Sequence, residues 1–366
     1  MEVQSQDVLI RTMPQPDRNN KTLARLRSSL LDWYDCNRRE LPWRSTKDPY
    51  AIWVSEIMLQ QTRVAVVIER YKSFLEVFPT TSALASASEQ DVLALWSGLG
   101  YYRRARMMHK AARVVTEELG GCFPVSAGAL RKLPGIGTYT AAAIASIAYG
   151  EHISVVDGNV ERAISRLKGW ESESPPAEAA IRRKVEEFAS TLVDESRPGD
   201  FNQALMELGA TVCTPRNPRC LNCPWTVTCK TKGEHLTPKR PGTVTREVSC
   251  ALVLRSCGTD SFQILLEQRS ASESVMASMW QLPFLREAQV PDSELRMTVR
   301  HAIMQVNYAV GVRSLAEDKL DQLADQGSHR RWVSSVEAGK VALTGLARKV
   351  LTRAGLLPTH PRARIA

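Results

Sequence analysis

The chain has 366 residues, 43% apolar and 24% charged, which is enough apolar content for two cores and too much for a chain disordered throughout. Lys and Arg outnumber Asp and Glu by 48 to 39, and the resulting charge of +9 favours a polyanionic partner without proving one. No run approaches the about 20 apolar residues of a membrane span, and Met1 to Asn20 is polar with no apolar signal core, so a soluble, cytoplasmic protein is expected.

From Lys21 to about Ala210 the apolar residues recur at spacings of three and four, with no β alternation, and Asp48-Pro49 and Ser126 mark helix starts. Breaks at Phe78-Pro79, Gly98 to Gly100, Gly120-Gly121, Pro134 to Gly137 and Pro175-Pro176 cut this stretch into about nine or ten short helices. The first domain is therefore all-α. Within it the segment from Tyr50 to Leu59 is apolar nearly all round, so its single acid, Glu56, should be buried. Such a carboxyl is costly unless it is functional or paired, with Arg39 or Arg44 as structural partners. Burial without full pairing would raise its pKa, as a general acid near neutral pH requires.

Val92 to Thr116 contains no acid and carries Arg103, Arg104, Arg106, Lys110 and Arg113, which suits a phosphate-facing surface or a solvated helix face. Leu133-Pro134-Gly135-Ile136-Gly137 then stands before an Ala-rich helix, Thr138 to Tyr149. Two glycines around one apolar residue allow a tight turn whose amides point at a phosphate, although a bare G-x-G is equally an ordinary helix–helix turn. Asp157, in Val155-Val156-Asp157-Gly158-Asn159-Val160, sits where a new helix should begin. Capping is the commonest reason for an Asp there, and helix amides would also keep a partly buried carboxylate ionised. One protonated and one ionised carboxyl form a plausible pair for breaking a glycosidic bond.

Four of the eight cysteines fall within 17 residues as Cys213-x6-Cys220-x2-Cys223-x5-Cys229, while Cys36, Cys122, Cys250 and Cys257 are scattered. Metal ligation plus free thiols fits this pattern better than disulfides, and spacing alone leaves zinc and iron–sulfur both open. No acid lies between Cys213 and Lys232, where Arg216, Arg219, Lys230 and Lys232 can compensate thiolate charge or reach phosphates. Thr231 to Arg246 reads as a linker. Beyond it Val248 to Arg255, Phe262 to Gln268 and Val306 to Val312 are strand-like and Gly345 to Arg353 helical, an α+β domain.

Together, Glu56 in W-V-S-E-I-M-L-Q-Q-T, the hairpin L-P-G-I-G-T-Y-T-A, Asp157 in V-V-D-G-N-V and the cysteine spacing closely resemble adenine DNA glycosylases of the MutY family over roughly Lys21 to Lys232. The resemblance implies an all-α helix-hairpin-helix glycosylase fold and a [4Fe-4S] cluster on Cys213, Cys220, Cys223 and Cys229. It implies a monofunctional enzyme acting as a monomer on double-stranded DNA, removing adenine opposite 8-oxoguanine or guanine. Glu56 would protonate the leaving base and Asp157 would stabilise the oxocarbenium-like sugar, with Tyr139 and Asn159 in support. Endonuclease III, a related glycosylase with lyase activity, carries a lysine where this chain has Tyr139, which cannot form a Schiff base.

By the same resemblance Gly135 and Gly137 contact DNA, and Gln61 and Tyr101 fill the duplex when the base leaves the stack. Trp43, Arg44, Leu59, Gln203 and Arg39 surround the extruded adenine. Ile264 to Arg269 and Met279 to Phe284 resemble the family's Nudix-like lesion-reading domain, without the R-E-x-x-E-E metal box of a pyrophosphatase. The family's F-S-H-like triplet matches Ile-Met-Gln here, leaving His301, Met304 and Gln305 as candidates for reading the lesion. The expected organisation is a flexible tail at 1–20, the glycosylase domain at 21–232 with its cluster loop at 213–229, a linker at 233–246, the Nudix-like domain at 247–357 and a tail at 358–366. Two alternatives stay open: a related glycosylase for an oxidised pyrimidine or a G:T mismatch, and a non-catalytic iron–sulfur protein that binds DNA.

Overall fold

The structure, a computed structural model, describes residues 18–171, 175–235, 244–258, 262–273, 275–286, 294–303, 306–324 and 329–357. Eleven α-helices come first: α1 (Arg18–Asn37), α2 (Pro49–Leu59), α3 (Val64–Val77), α4 (Thr81–Ser86), α5 (Glu89–Leu95), α6 (Arg103–Glu117), α7 (Ala127–Leu130), α8 (Thr138–Tyr149), α9 (Gly158–Lys168), α10 (Pro175–Leu192) and α11 (Pro198–Thr211). The excess over the expected nine or ten comes from α4 and α7, of 6 and 4 residues, too short to show a period of their own. Their starts are nonetheless written locally, because Thr80 and Ser126 each accept a backbone amide three residues on. Helix α1 begins at Arg18, inside the segment expected as tail; residues 1–17 and 358–366 and most of the linker, 236–243, lie outside the described residues.

The chain divides into two compact units. One unites the described residues up to Glu40 with those from Ala141 through the cysteine loop, and the other unites Leu41–Thr140 with the described residues from Val244 onward. In the first unit α1, α9, α10 and α11 close around Leu30, Tyr34, Ile164, Val185, Phe201 and Leu205, all essentially inaccessible to solvent. Val160, Ile164 and Leu167 recur at spacings of four and three along α9 and present one face to this core. Gly169, at φ +66°, ends that helix in the left-handed conformation.

In the second unit helices α2 to α7 are followed by strands β1 (Val244–Ser256), β2 (Phe262–Gln268), β3 (Trp280–Gln281), β4 (Leu295–Ile303), β5 (Val306–Leu315) and β6 (Arg330–Ser334), then α12 (Ser335–Lys340) and α13 (Gly345–Arg353). The sheet order is β3-β2-β1-β5-β4 with β6 also paired to β2; β1 and β5 run parallel from Val244 opposite Val306 to Val253 opposite Leu315. Alternate residues of β1 serve the two faces: Cys250 and Leu252 pack under α12 and α13, whereas Ala251 and Val253 join Leu285, Leu315 and Leu323. The expected α+β character thus holds. Hydrogen bonds join the earlier and later parts of this unit: Tyr102 donates to Leu343 O at 3.4 Å, Arg348 Nε of α13 to Ser97 Oγ at 2.6 Å, and Arg106 to Ala277 O. Among the described residues no helix is long and apolar enough to cross a membrane.

Candidate active site and cysteine loop

Helix α2 is the apolar run around Glu56. Asp48 starts it, accepting from the amides of Tyr50 at 3.1 Å and Ala51 at 3.3 Å, and Pro49 fills the first turn, where no amide is needed. Every residue from Tyr50 to Met58 is buried, and Glu56 is 5% exposed. Trp43, in the 3-10 turn Pro42–Arg44, is buried edge-on against Tyr71 with ring centroids 5.5 Å apart. Arg44, beside it, is half-buried, as is Leu59 at the end of α2. Gln60 then donates to Thr140 Oγ1 at 3.3 Å, tying the end of α2 to the first turn of α8, where Tyr139 is half-buried.

That first turn follows the hairpin. Gly135 has φ +76°, and a Cβ there would meet Met107 Cβ at 2.5 Å, so both the backbone and its approach to α6 demand glycine. Gly137 faces open space. Leu133 and Ile136 anchor the turn inward while Gly135, Gly137 and Thr138 are exposed, which leaves the backbone at the start of α8 accessible to an anion. Gln61 and Tyr101, the expected duplex-filling residues, share an uncommon feature: their φ values are +55° and +47°. Both side chains are exposed, Tyr101 by 52%.

In the first unit Asp157 caps α9. Its Oδ1 accepts from the amides of Asn159 at 2.9 Å and Val160 at 2.8 Å, and its Oδ2 from Asn159 Nδ2 at 2.8 Å. Three donors therefore fix the carboxylate at the positive end of a helix. Buried Asn202 of α11 positions the approach to it, accepting from Val155 N at 3.0 Å and donating to Ile153 O at 2.8 Å. Arg162 grips the other side of Asn159: it donates Nη2 to Asn159 Oδ1 and to Gly209 O, both at 2.8 Å, and Nε to Cys213 O at 2.7 Å. One turn further, Arg166 donates to Thr214 O at 2.7 Å, Pro215 O at 3.0 Å and Cys213 Sγ at 3.5 Å. Neither arginine features in the sequence expectations, although their i,i+4 spacing after Asp157 was available as a signal. Gln203, also on α11, is buried; Arg39 is drawn into a bidentate pair with Glu207 at 2.6 and 2.7 Å.

All four cysteines of the loop line one small pocket, with Arg166, Val212 and Pro218 among its walls. Their thiols are free. Among the described residues no three His, Cys, Asp or Glu side chains converge on a single ion. Four thiols around one pocket are a donor set that suits a thiophilic metal centre. Burial, with smaller contributions from the neighbouring thiols, pushes Cys223 up to about 11, partly opposed by the Trp225 amide. Trp225 fastens the loop to the core, donating Nε1 to Leu26 O at 3.0 Å.

On the sheet, His301 lies in β4 and is held below the usual histidine range by burial and then by Lys349. Met304 and Gln305 lie outside the described residues. Of the basic run, Arg104, Arg106 and Arg113 donate to backbone carbonyls, the last to Ala85 O at 3.3 Å, while Arg103 and Lys110 are exposed.

Residues 54–190 match the sequence profile of the HhH-GPD superfamily of base excision DNA repair proteins. A thermostable thymine-DNA glycosylase of solved structure is 32% identical, with 99% of its chain and 59% of this one superposed at a TM-score of 0.54. The chain belongs to the HhH-GPD superfamily. The human adenine DNA glycosylase is 48% identical to this HhH-GPD protein over 224 residues, 59% of this chain and 41% of the human one. That of Mycolicibacterium smegmatis is 44% identical over 196 residues, 53% of this chain and 66% of the bacterial one. The HhH-GPD chain spans about half the length of the curated relatives it matches, 41% of the human and 47% of the mouse protein. The resemblance to adenine DNA glycosylases read from its motifs is thereby borne out.

Proposed function

We propose that this protein is a monofunctional DNA glycosylase that removes adenine mispaired with 8-oxoguanine or guanine from duplex DNA. The observation that carries the reading is the pair of differently housed carboxyls: Glu56 enclosed in an apolar helix, Asp157 held by two helix amides and the Asn159 amide. The enclosed carboxyl takes the acid role toward the departing base, and the three donors fix the Asp157 carboxyl where it can offset developing positive charge on the sugar. Tyr139 supports the chemistry without offering an amine for lyase action. Gly135 and Gly137 hold a phosphate at the hairpin, Gln61 and Tyr101 take the place of the extruded base, and Trp43, Arg44, Leu59 and Gln203 are the candidates to contact that base. Residues 21–232 form the glycosylase module, and 247–357 form a lesion-reading module in which His301, Met304 and Gln305 are the candidates.

Cys213, Cys220, Cys223 and Cys229 hold a [4Fe-4S] cluster. Four free thiols around one pocket, a loop without acids and the adjacent Arg166 fit its donor set and its negative charge. When bound it supplies cross-linking of the loop rather than chemistry on the base.

The test is release of free adenine from labelled A:8-oxoguanine and A:G duplexes, leaving an alkali-labile site. Glu56→Gln should abolish release and keep DNA binding; full activity in that variant rules out the acid assignment. Likeness over 99% of a thymine-DNA glycosylase chain supports a second reading, removal of thymine opposite guanine. Including a G:T duplex in the panel separates the two.

A further inference from the structure

Gln61 and Tyr101 are 40 positions apart, yet one side chain holds the backbone immediately before each. Arg104, in the first turn of α6, donates Nη1 to Ile57 O at 2.6 Å, Met58 O at 3.3 Å and Gln60 O at 2.5 Å. Its Nη2 donates to Leu99 O at 3.0 Å, Gly100 O at 3.1 Å and Thr62 Oγ1 at 3.3 Å. The carbonyl of Gln60 belongs to the peptide leading into Gln61, and that of Gly100 to the peptide leading into Tyr101. Those are the two residues of these turns with positive φ and a side chain, a conformation that costs about 1–2 kcal/mol for an L-residue outside glycine. The same guanidinium lies over the rings of Tyr101 at 5.6 Å and Trp96 at 5.4 Å. Thr62 Oγ1 also donates to Leu99 O at 3.3 Å, and Trp96 Nε1 to Gly100 O at 3.1 Å, so the two turns form one lattice around Arg104.

Burial lowers the Arg104 pKa to about 10, which leaves the guanidinium charged at neutral pH. Both terminal nitrogens of the cation are satisfied, mostly by carbonyls, among them those at the C-terminal end of α2, where positive charge is favoured, while its buried Nε has no partner among the described residues. A lysine ammonium has three donors and no planar fork, and it cannot span acceptors on both turns.

We propose that Arg104 is the positioning residue that holds Gln61 and Tyr101 as two jaws of one wedge, making duplex opening depend on a single guanidinium. This rests on the reading that those two residues enter the duplex. The full-length protein is mixed with a duplex carrying 2-aminopurine at the target position, whose fluorescence rises on unstacking, and single-turnover adenine release is followed on the matching adenine duplex. Arg104→Lys should slow both unstacking and release by roughly 10- to 100-fold. Binding of undamaged duplex should change far less, because the charge is kept.

In a Gln61→Ala/Tyr101→Ala background the same substitution should add little, since the jaws it aligns are gone. Unstacking at the wild-type rate in Arg104→Lys, or a full additional loss in the jawless background, overturns the proposal. Should Arg104→Lys not fold, Thr62→Val removes one acceptor and leaves the arginine; a several-fold loss in unstacking is expected and none is refuting. Wild-type protein that unstacks the base but releases no adenine sinks the catalytic reading and leaves the Arg104 comparison standing. If Gln61→Ala/Tyr101→Ala unstacks like the wild type, the wedge assignment and the proposal fall together.

Discussion

Gly209→Ala sets two opposed quantities against each other on α11. Alanine in a helix interior is favoured over glycine by about 1 kcal/mol. At this position, however, the new methyl would lie 2.6 Å from Asn159 Cβ, 2.7 Å from Asn159 O and 2.8 Å from Asn159 C. Moving from 2.6 Å to the 3.4 Å at which ordinary contact begins requires a displacement of about 0.8 Å, and two of the three neighbours are backbone atoms that cannot swing aside. Overpacking of this kind costs about 1–3 kcal/mol. The Gly209 carbonyl also accepts from Arg162 at 2.8 Å, a charge-assisted bond worth about 1.5–3 kcal/mol that the displacement strains. Steric cost therefore outweighs propensity, and a net destabilisation of about 1–3 kcal/mol should appear as a lower urea midpoint with unchanged slope. Because Asn159 carries the amide that fixes Asp157, a shift approaching 1 Å should lower single-turnover adenine release by about 100-fold. A Gly209→Ala protein about 1 kcal/mol more stable than the wild type and equally fast would show that α11 does not press on the start of α9.

Arg39→Ala should cost about 2 kcal/mol in denaturant unfolding, below the about 3–5 kcal/mol of a fully buried pair because Arg39 is 40% exposed while Glu207 is 1% exposed. A weaker KM with intact stability would instead place Arg39 against the base. Trp225→Phe keeps an aromatic ring but removes the donor to Leu26 O and part of the buried indole; a loss of about 1–3 kcal/mol and more easily extracted iron from the proposed cluster are expected, and unchanged iron retention refutes the anchoring role. His109 is buried on α6 and held below its usual 6.5, chiefly by burial and then by Arg113. Its unfolded form takes up a proton first, so its contribution to stability is present above about pH 6.5 and is lost as pH falls below that toward the depressed folded value. Replacing it with glutamine should flatten the stability profile between pH 7 and 5. The acidic limb below pH 4, set by carboxylates such as Asp35 and Asp194 whose pKa values are lowered, should remain.

What was legible in the sequence is what short-range chemistry determines. Asp48, Ser126 and Asp157 were readable as helix starts because a cap is satisfied within three residues, and each accepts the amides its position predicts. The apolar stretch around Glu56 announced its own burial. Strand β4 was readable in principle, since Leu295, Met297, Val299 and Ile303 alternate, but only Val299 is fully buried and the intervening Arg and His residues weaken the pattern. Strand β6, Arg-Arg-Trp-Val-Ser, becomes a strand through its pairing with β2, which no local window contains. The roles of Arg104, Arg162 and Arg166 were hidden for the same reason. A guanidinium that binds carbonyls at sequence separations of 44 to 51 residues looks, in one dimension, like any surface charge.

Helix α9 is enclosed lengthwise by a segment made much later in the chain. Arg162 reaches Cys213 near its middle, and at its end the amides of Lys230 and Thr231 donate to Leu167 O at 3.1 Å and Arg166 O at 3.2 Å. A nascent chain that has passed Lys168 therefore has the helix carrying Asp157 but not the contacts that finish it, and the ribosome must add about 60 more residues, several seconds of synthesis, before they can form. The far end of the helix, opposite the carboxylate, is thus settled only after the cysteine loop has closed over it. Assembly of the site is ordered in time by where its last splint lies in the sequence, and substitutions that slow closure of that loop should reduce the yield of competent molecules during synthesis even when the finished protein is stable.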